Sequence, residues 1–179
     1  MKSLSTYVTG LVALLAAGAC GLSGCTTPGP SSPVMADSER AMIKAVKSYE
    51  LAWNRHDVAG VAAYFQPNGT YINPGPGRLS GPALTGWLEG LFAAIPDFKV
   101  ETVSANPLGD RMIVSQWVIK GTWTQPFPSG PLAGAKPTGK SFAVPGASFY
   151  EWKDGRFASE TAYFDQLAFL SQIGAIGQK

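Results

Sequence analysis

Tyr49-Glu50-Leu51-Ala52-Trp53-Asn54-Arg55-His56-Asp57 carries the periodicity that sets the fold. Followed backwards, its apolar face continues: Met42, Val46, Tyr49 and Trp53 stand four, three and four residues apart, on one side of a helix. Asp37 or Ser38 is placed to cap that helix, which runs to about Arg55. Asp57 then caps a second, short helix with Val58, Val61, Ala62 and Phe65 on one face and Pro67 just past its end. Two helices at the start of a domain, each with one apolar stripe, need a layer to pack against.

The following residues supply that layer. Gly69 to Asn73 alternates as a short strand, with Tyr71 and Asn73 on one face, and Pro74 to Gly77 breaks it. Ser80 caps a third helix with Pro82 in its first turn and Leu84, Trp87, Leu88, Leu91 and Ile95 on its apolar side; Pro96 ends it. Strand patterns then run from Phe98 to Ala105, Arg111 to Thr124, Lys140 to Trp152 and Phe157 to Phe164. Gly109-Asp110 and Asp154-Gly155 are turn signals, 125–139 is a proline- and glycine-rich loop, and Pro145-Gly146 suggests a bulge. Asp165 opens a last helix with Leu167, Leu170 and Ile173 on one side and Gly174 behind it. The predicted class is α+β: three N-terminal helices packed on a curved antiparallel sheet, a cone with a cavity inside.

Composition narrows the chemistry. The net charge is +2 and charged residues make up 15% of the chain, so nothing directs it to nucleic acid. There are two cysteines and one histidine, so no cysteine cluster or multi-histidine set points to a metal, and no cofactor is implied. Aromatics make up 11% of the chain, five of them Trp, which suits a pocket for a small apolar ligand and equally a large core.

The N-terminal residues carry an address. Lys2 precedes an apolar run from Val8 to Ala19, which is shorter than the roughly 20 residues of a spanning helix and ends at a small-residue junction. Leu22-Ser23-Gly24-Cys25 resembles a bacterial lipobox. That resemblance implies a signal peptide over 1–24, acylation of Cys25, a flexible Pro- and Ser-rich linker completing 25–36, and a domain over 37–179. Ala17-Gly18-Ala19-Cys20 is a poorer match, and cleavage to a soluble secreted chain is the other alternative. The expected location is the cell envelope, the chain held to the membrane by its N-terminal lipid. Thr26 stands where inner-membrane lipoproteins of diderm bacteria commonly carry Asp, which favours the outer membrane, facing the periplasm, in a diderm organism.

Tyr49 to Asp57, Ala93-Ala94-Ile95-Pro96-Asp97-Phe98, Gly121-Thr122-Trp123, Pro137 to Lys140, and Tyr163-Phe164-Asp165-Gln166-Leu167 with Gln172-Ile173-Gly174 resemble the SnoaL-like polyketide cyclases of the nuclear transport factor 2-like superfamily, which also holds ketosteroid isomerase. The resemblance covers about 37–174. It implies the cone fold and an acid/base aspartate at the end of the last strand, the position of Asp165. The family's histidine on the preceding strand has no counterpart in Ala143 to Phe149. The isomerase's oxyanion-holding tyrosine lies eight residues before the next helix's Asp, a spacing matched by Tyr49 and Asp57, but its Asp-Pro base is replaced by Asn73-Pro74. An amide takes up no proton at neutral pH, so that route is disfavoured.

Strand alternation sets Asp165 with Ser159, Thr161 and Tyr163. If that face lines the cavity, Asp165 is a base; if not, it caps the last helix. Tyr49, Trp53, Tyr71, Asn73, Trp117 and Tyr163 are the expected ligand-binding residues. Two functions stay open: cyclase- or isomerase-type proton transfer on an apolar carbonyl compound, and non-catalytic binding of a small apolar ligand. A homodimer through the exposed sheet face is the third alternative.

Overall fold

The computed structural model describes residues 35–176; the signal-peptide, Cys25 and most of the linker expectations fall outside them. The elements are α1 (Asp37–Asn54), α2 (Val58–Ala63), β1 (Phe65–Asn73), β2 (Gly77–Leu79), α3 (Gly81–Ala94), β3 (Lys99–Leu108), β4 (Met112–Thr122), β5 (Ser141–Lys153), β6 (Arg156–Phe164) and α4 (Gln166–Gln172). The class is α+β, with α1, α2 and α3 ahead of the four-strand meander β3 to β6.

The stripe read from the sequence is the inner face of α1: Met42, Val46, Tyr49 and Trp53 are all buried. The N-cap is Ala36, not Asp37 or Ser38, and Glu39 reaches back to accept from the Ala36 N–H at 2.8 Å. At the other end, the Asn54 side chain accepts from Val100 N and donates to Val100 O, both at 2.8 Å, which pins the helix to β3. His56 is half-buried, stacked on Phe92 at 4.4 Å with Nε2 3.0 Å from Phe98 O.

The sheet has the order β2-β1-β6-β5-β4-β3. Its strands are not all antiparallel, as expected from the hairpin signals: β1 and β6 pair parallel, and the sheet is mixed. Turn residues specify only neighbours joined by a short loop. The β1–β6 pair closes after β2, α3 and three strands have intervened, and no local signal encodes its direction. β1 begins at Phe65, runs through Pro67, and gains β2 as an edge partner in the Tyr71↔Leu79 register, where the sequence suggested only a break.

Asp154 (φ 50°) and Gly155 (φ 77°) make the tight β5–β6 turn, both in the left-handed region a two-residue hairpin demands. The suggested bulge at Pro145-Gly146 is absent: the β4–β5 register runs unbroken through Val118↔Pro145 and Trp117↔Gly146. Proline is tolerated because β6 pairs with β5 only from Gly146 onward. Gly146 has a steric role instead. A Cβ there would lie 2.2 Å from the Trp117 ring and 2.7 Å from the Tyr163 carbonyl oxygen.

The bulge lies in β6. Glu151 pairs with Ser159 but Trp152 pairs with Phe157, so Ala158 is an extra residue. One inserted residue exchanges the faces of everything beyond it. Phe157 points inward, and past the bulge the buried positions become Glu160 and Ala162, while Tyr163 is exposed.

Candidate active site

A cavity of about 450 Å³ lies between α1, α3 and the inner sheet face. Trp53, Tyr71, Trp87 and Phe98 form one aromatic wall, with Trp53 6.2 Å from Tyr71 and Tyr71 5.3 Å from Trp87 between ring centroids. Trp117, Ile119 and Phe164 line it from the sheet, and the 125–139 loop contributes Phe127, Pro128 and Leu132. Proline and glycine signals marked that segment as a loop, but nothing local to it indicated that it would be a cavity wall.

Inside this apolar enclosure stands one buried carboxylate, Glu160, 4% exposed. The Tyr49 hydroxyl donates to its Oε2 at 2.7 Å, and the Ser148 hydroxyl donates to its Oε1 at 2.8 Å. Ser148 in turn accepts from Trp117 Nε1 at 2.9 Å, which directs the serine's single proton at the carboxylate. Ser115 donates to the Tyr150 hydroxyl at 3.3 Å, and Tyr150 stands near Glu160, where it favours the ionised carboxylate. Burial pushes Glu160 up from its ordinary 4.5 to about 7, against the hydrogen bonds from Tyr49, Ser148 and Tyr150, which favour the ionised form. A carboxyl group near 7 is available as acid and as base at neutral pH. Burial, then the Glu160 charge, raises Tyr49 well above its ordinary range, so its phenol stays a donor.

The expected site residues divide. Tyr49, Trp53, Tyr71, Asn73 and Trp117 all line the cavity. Tyr163 does not: it is 58% exposed on the outer sheet face, edge-on to Phe149 at 6.0 Å. Asp165 is likewise outside, exposed, and accepts from Ala168 N at 2.8 Å as the N-cap of α4. The inward placement of the Ser159–Thr161–Tyr163–Asp165 face is therefore corrected. Counting by twos from the apolar Phe157 selects those residues, and the extra residue at Ala158 turns them outward.

Glu160 escaped the sequence reasoning for the same reason. The signal for it was present: Ala158, Glu160, Ala162 and Phe164 make the apolar parity of the strand, with one carboxylate in it. Among the described residues, no group of three or more His, Cys, Asp or Glu is arranged to hold a metal ion.

The family model for SnoaL-like polyketide cyclases matches residues 43–173, spanning α1 to the end of α4. The chain belongs to the SnoaL-like polyketide cyclase family. Solved structures share its fold. A protein assigned as a SnoaL-like polyketide cyclase from Jannaschia sp. CCS1 is 19% identical with a TM-score of 0.67, covering 82% of this chain and 100% of that one. AclR of Streptomyces galilaeus, assigned as a hydroxylase, is 19% identical with a TM-score of 0.65, covering 78% and 99%. A protein of ketosteroid isomerase-like fold from Catenulispora acidiphila, crystallised with trimethylamine, is 23% identical with a TM-score of 0.60, covering 73% and 92%. No curated protein matches the sequence. In this SnoaL-like domain the acid/base candidate stands on the last strand itself, five residues before the aspartate at its end.

Proposed function

We propose that the chain catalyses proton transfer at carbon in a small apolar carbonyl compound, with Glu160 as the acid/base. The observation that carries this reading is the Glu160 carboxyl group, fully buried in an aromatic cavity and poised near 7. The ionised group takes a proton from the carbon beside the carbonyl, and the Tyr49 and Ser148 donors hold it in place. The protonated group then returns the proton to the same carbon or to another. Removal of water by the aromatic walls strengthens each of these electrostatic effects.

The test is exchange of the α-protons of 2-tetralone, an apolar ketone of matching size, followed by NMR in deuterium oxide. The wild-type protein should catalyse exchange, and Glu160→Gln should slow it by a factor on the order of 10² or more. Binding of 2-tetralone without catalysed exchange would refute the enzyme reading and leave a ligand-binding protein. A second part of the proposal concerns location. The Leu22-Ser23-Gly24-Cys25 motif supports an envelope lipoprotein anchored through acylated Cys25. Mass spectrometry of the N-terminal peptide should show a lipid-bearing cysteine, and an unmodified N-terminus beyond Cys25 would refute it.

A further inference from the structure

We infer that the Tyr71 hydroxyl is the hydrogen-bond donor that holds the carbonyl oxygen of the cavity's ligand, and that Asn73 is the positioning residue that aims it. The ligand class rests on the proton-transfer reading above; the donor assignment rests on a separate chain of hydrogen bonds. The Gly75 backbone N–H donates to Asn73 Oδ1 at 2.9 Å. A backbone N–H can only donate, so it fixes which end of the amide faces it, and Nδ2 is turned to the Tyr71 hydroxyl at 2.8 Å. The amide N–H also only donates. The Tyr71 oxygen is therefore the acceptor in that contact, and its own hydrogen is directed elsewhere.

Among the described residues, Asn73 is the hydrogen-bond partner of Tyr71, and it occupies the oxygen without taking the proton. The other two buried tyrosines of the cavity differ: Tyr49 donates to Glu160 at 2.7 Å, and the Tyr150 hydroxyl sits in the polar cluster of Ser115, Ser148 and Glu160. Tyr71 is 4% exposed and Asn73 8%, and both line the cavity, so the acceptor for this O–H has to come from what the cavity holds. A buried donor without an acceptor is disfavoured, and a ligand oxygen relieves it. Burial and then the nearby Glu160 raise Tyr71 far above its ordinary range, so it remains a donor wherever the protein is folded. Trp53 and Trp87 flank the ring and hold its direction.

The placement relative to Glu160 completes the case. In the parallel β1–β6 pair, Tyr71 is the register partner of Glu160. Neighbouring strands lie about 4.8 Å apart, so the donor and the acid/base reach one small ligand from adjacent positions on one face. When Glu160 takes the α-proton, the C–H electron pair forms the carbon–carbon double bond and the carbonyl π pair moves onto oxygen. That oxygen then faces Tyr71. Return of the proton from Glu160 to carbon restores the carbonyl.

The experiment uses 2-acetylnaphthalene as probe and reads the carbonyl stretch of the bound ketone by infrared difference spectroscopy. The wild-type protein should lower the stretch relative to the ketone in hexane. Tyr71→Phe should abolish that shift and weaken binding roughly five- to tenfold, while binding of 2-ethylnaphthalene, which has no carbonyl, stays unchanged. Asn73→Asp sharpens the test: the carboxylate still accepts from Gly75 N but also accepts the Tyr71 proton, so the shift should be lost in a folded protein whose Tyr71 is intact. Glu160→Gln should keep the shift. A shift that persists in Tyr71→Phe or in Asn73→Asp, one that vanishes in Glu160→Gln, or a ketone bound no more tightly than the hydrocarbon would overturn the inference. Absence of α-proton exchange in the wild-type protein with the shift present would count against Glu160 as base and leave the donor assignment standing.

Discussion

Replacing Glu160 by Gln should change how stability depends on pH, and the size of the change follows from burial. In the unfolded chain this carboxyl group titrates near 4.5, and in the folded protein burial pushes it to about 7. Between those values the folded state holds a proton that the unfolded state has released. Stability therefore falls as pH rises through that window, is unaffected by this group below it, and levels off above it. A displacement of that size corresponds to roughly 3 kcal/mol across the window, at about 1.4 kcal/mol per pH unit. Glu160→Gln removes the titration and keeps the shape, although one hydroxyl partner meets an amide N–H₂ and loses its acceptor, at about 1 kcal/mol. The informative quantity is thus the difference between variant and wild type at each pH, in which the other titrating groups cancel. Urea denaturation followed by tryptophan fluorescence, from pH 4.5 to 8, measures it. The variant should be the less stable protein at the acid end and gain on the wild type by roughly 3 kcal/mol towards pH 8. A difference that stays flat across the range, or that moves the other way, would mean Glu160 is ionised at its ordinary pH and would refute the argument from burial.

Tyr49→Phe deletes the 2.7 Å donor to Glu160; NMR titration should show the carboxyl group moving further upward, and stability at pH 8 should drop by about 1.5–3 kcal/mol. Gly146→Ala places a methyl group 2.2 Å from the Trp117 ring and against the Tyr163 backbone; a loss of about 1–3 kcal/mol, with altered tryptophan emission, is expected in denaturant titrations. Asp165→Asn retains an oxygen able to accept from Ala168 N; thermal denaturation should show a loss of at most ~1 kcal/mol, and 2-tetralone exchange should continue at the wild-type rate.

The helices, the inner faces of α1 and α3 and most turns were legible because each rests on interactions within a few residues, whereas Leu167 of α4, expected on the apolar side, is exposed and Phe65, expected on α2, begins β1. The four-three-four spacing from Met42 to Trp53 can bury only one side of a helix, and Asp154-Gly155 can hold left-handed angles that most residues resist. The family motifs are local in the same sense, and five of the six expected ligand-binding residues line the cavity because they stand on elements whose inward side local alternation specifies. Glu160 and Asp165 are different. Which of them enters the cavity depends on one extra residue at Ala158, and that bulge exists only in the register between β5 and β6. The direction of β1 against β6, the Tyr71↔Glu160 register and the loop wall at Phe127 and Pro128 likewise depend on segments far apart in the chain. The acidity of Glu160 is the most distant consequence of all. A glutamate's ordinary 4.5 is a property of the residue, whereas about 7 is a property of its burial, set against the hydroxyl groups that Tyr49, Ser148 and Tyr150 bring near it from α1 and β5 and that hold the rise in check.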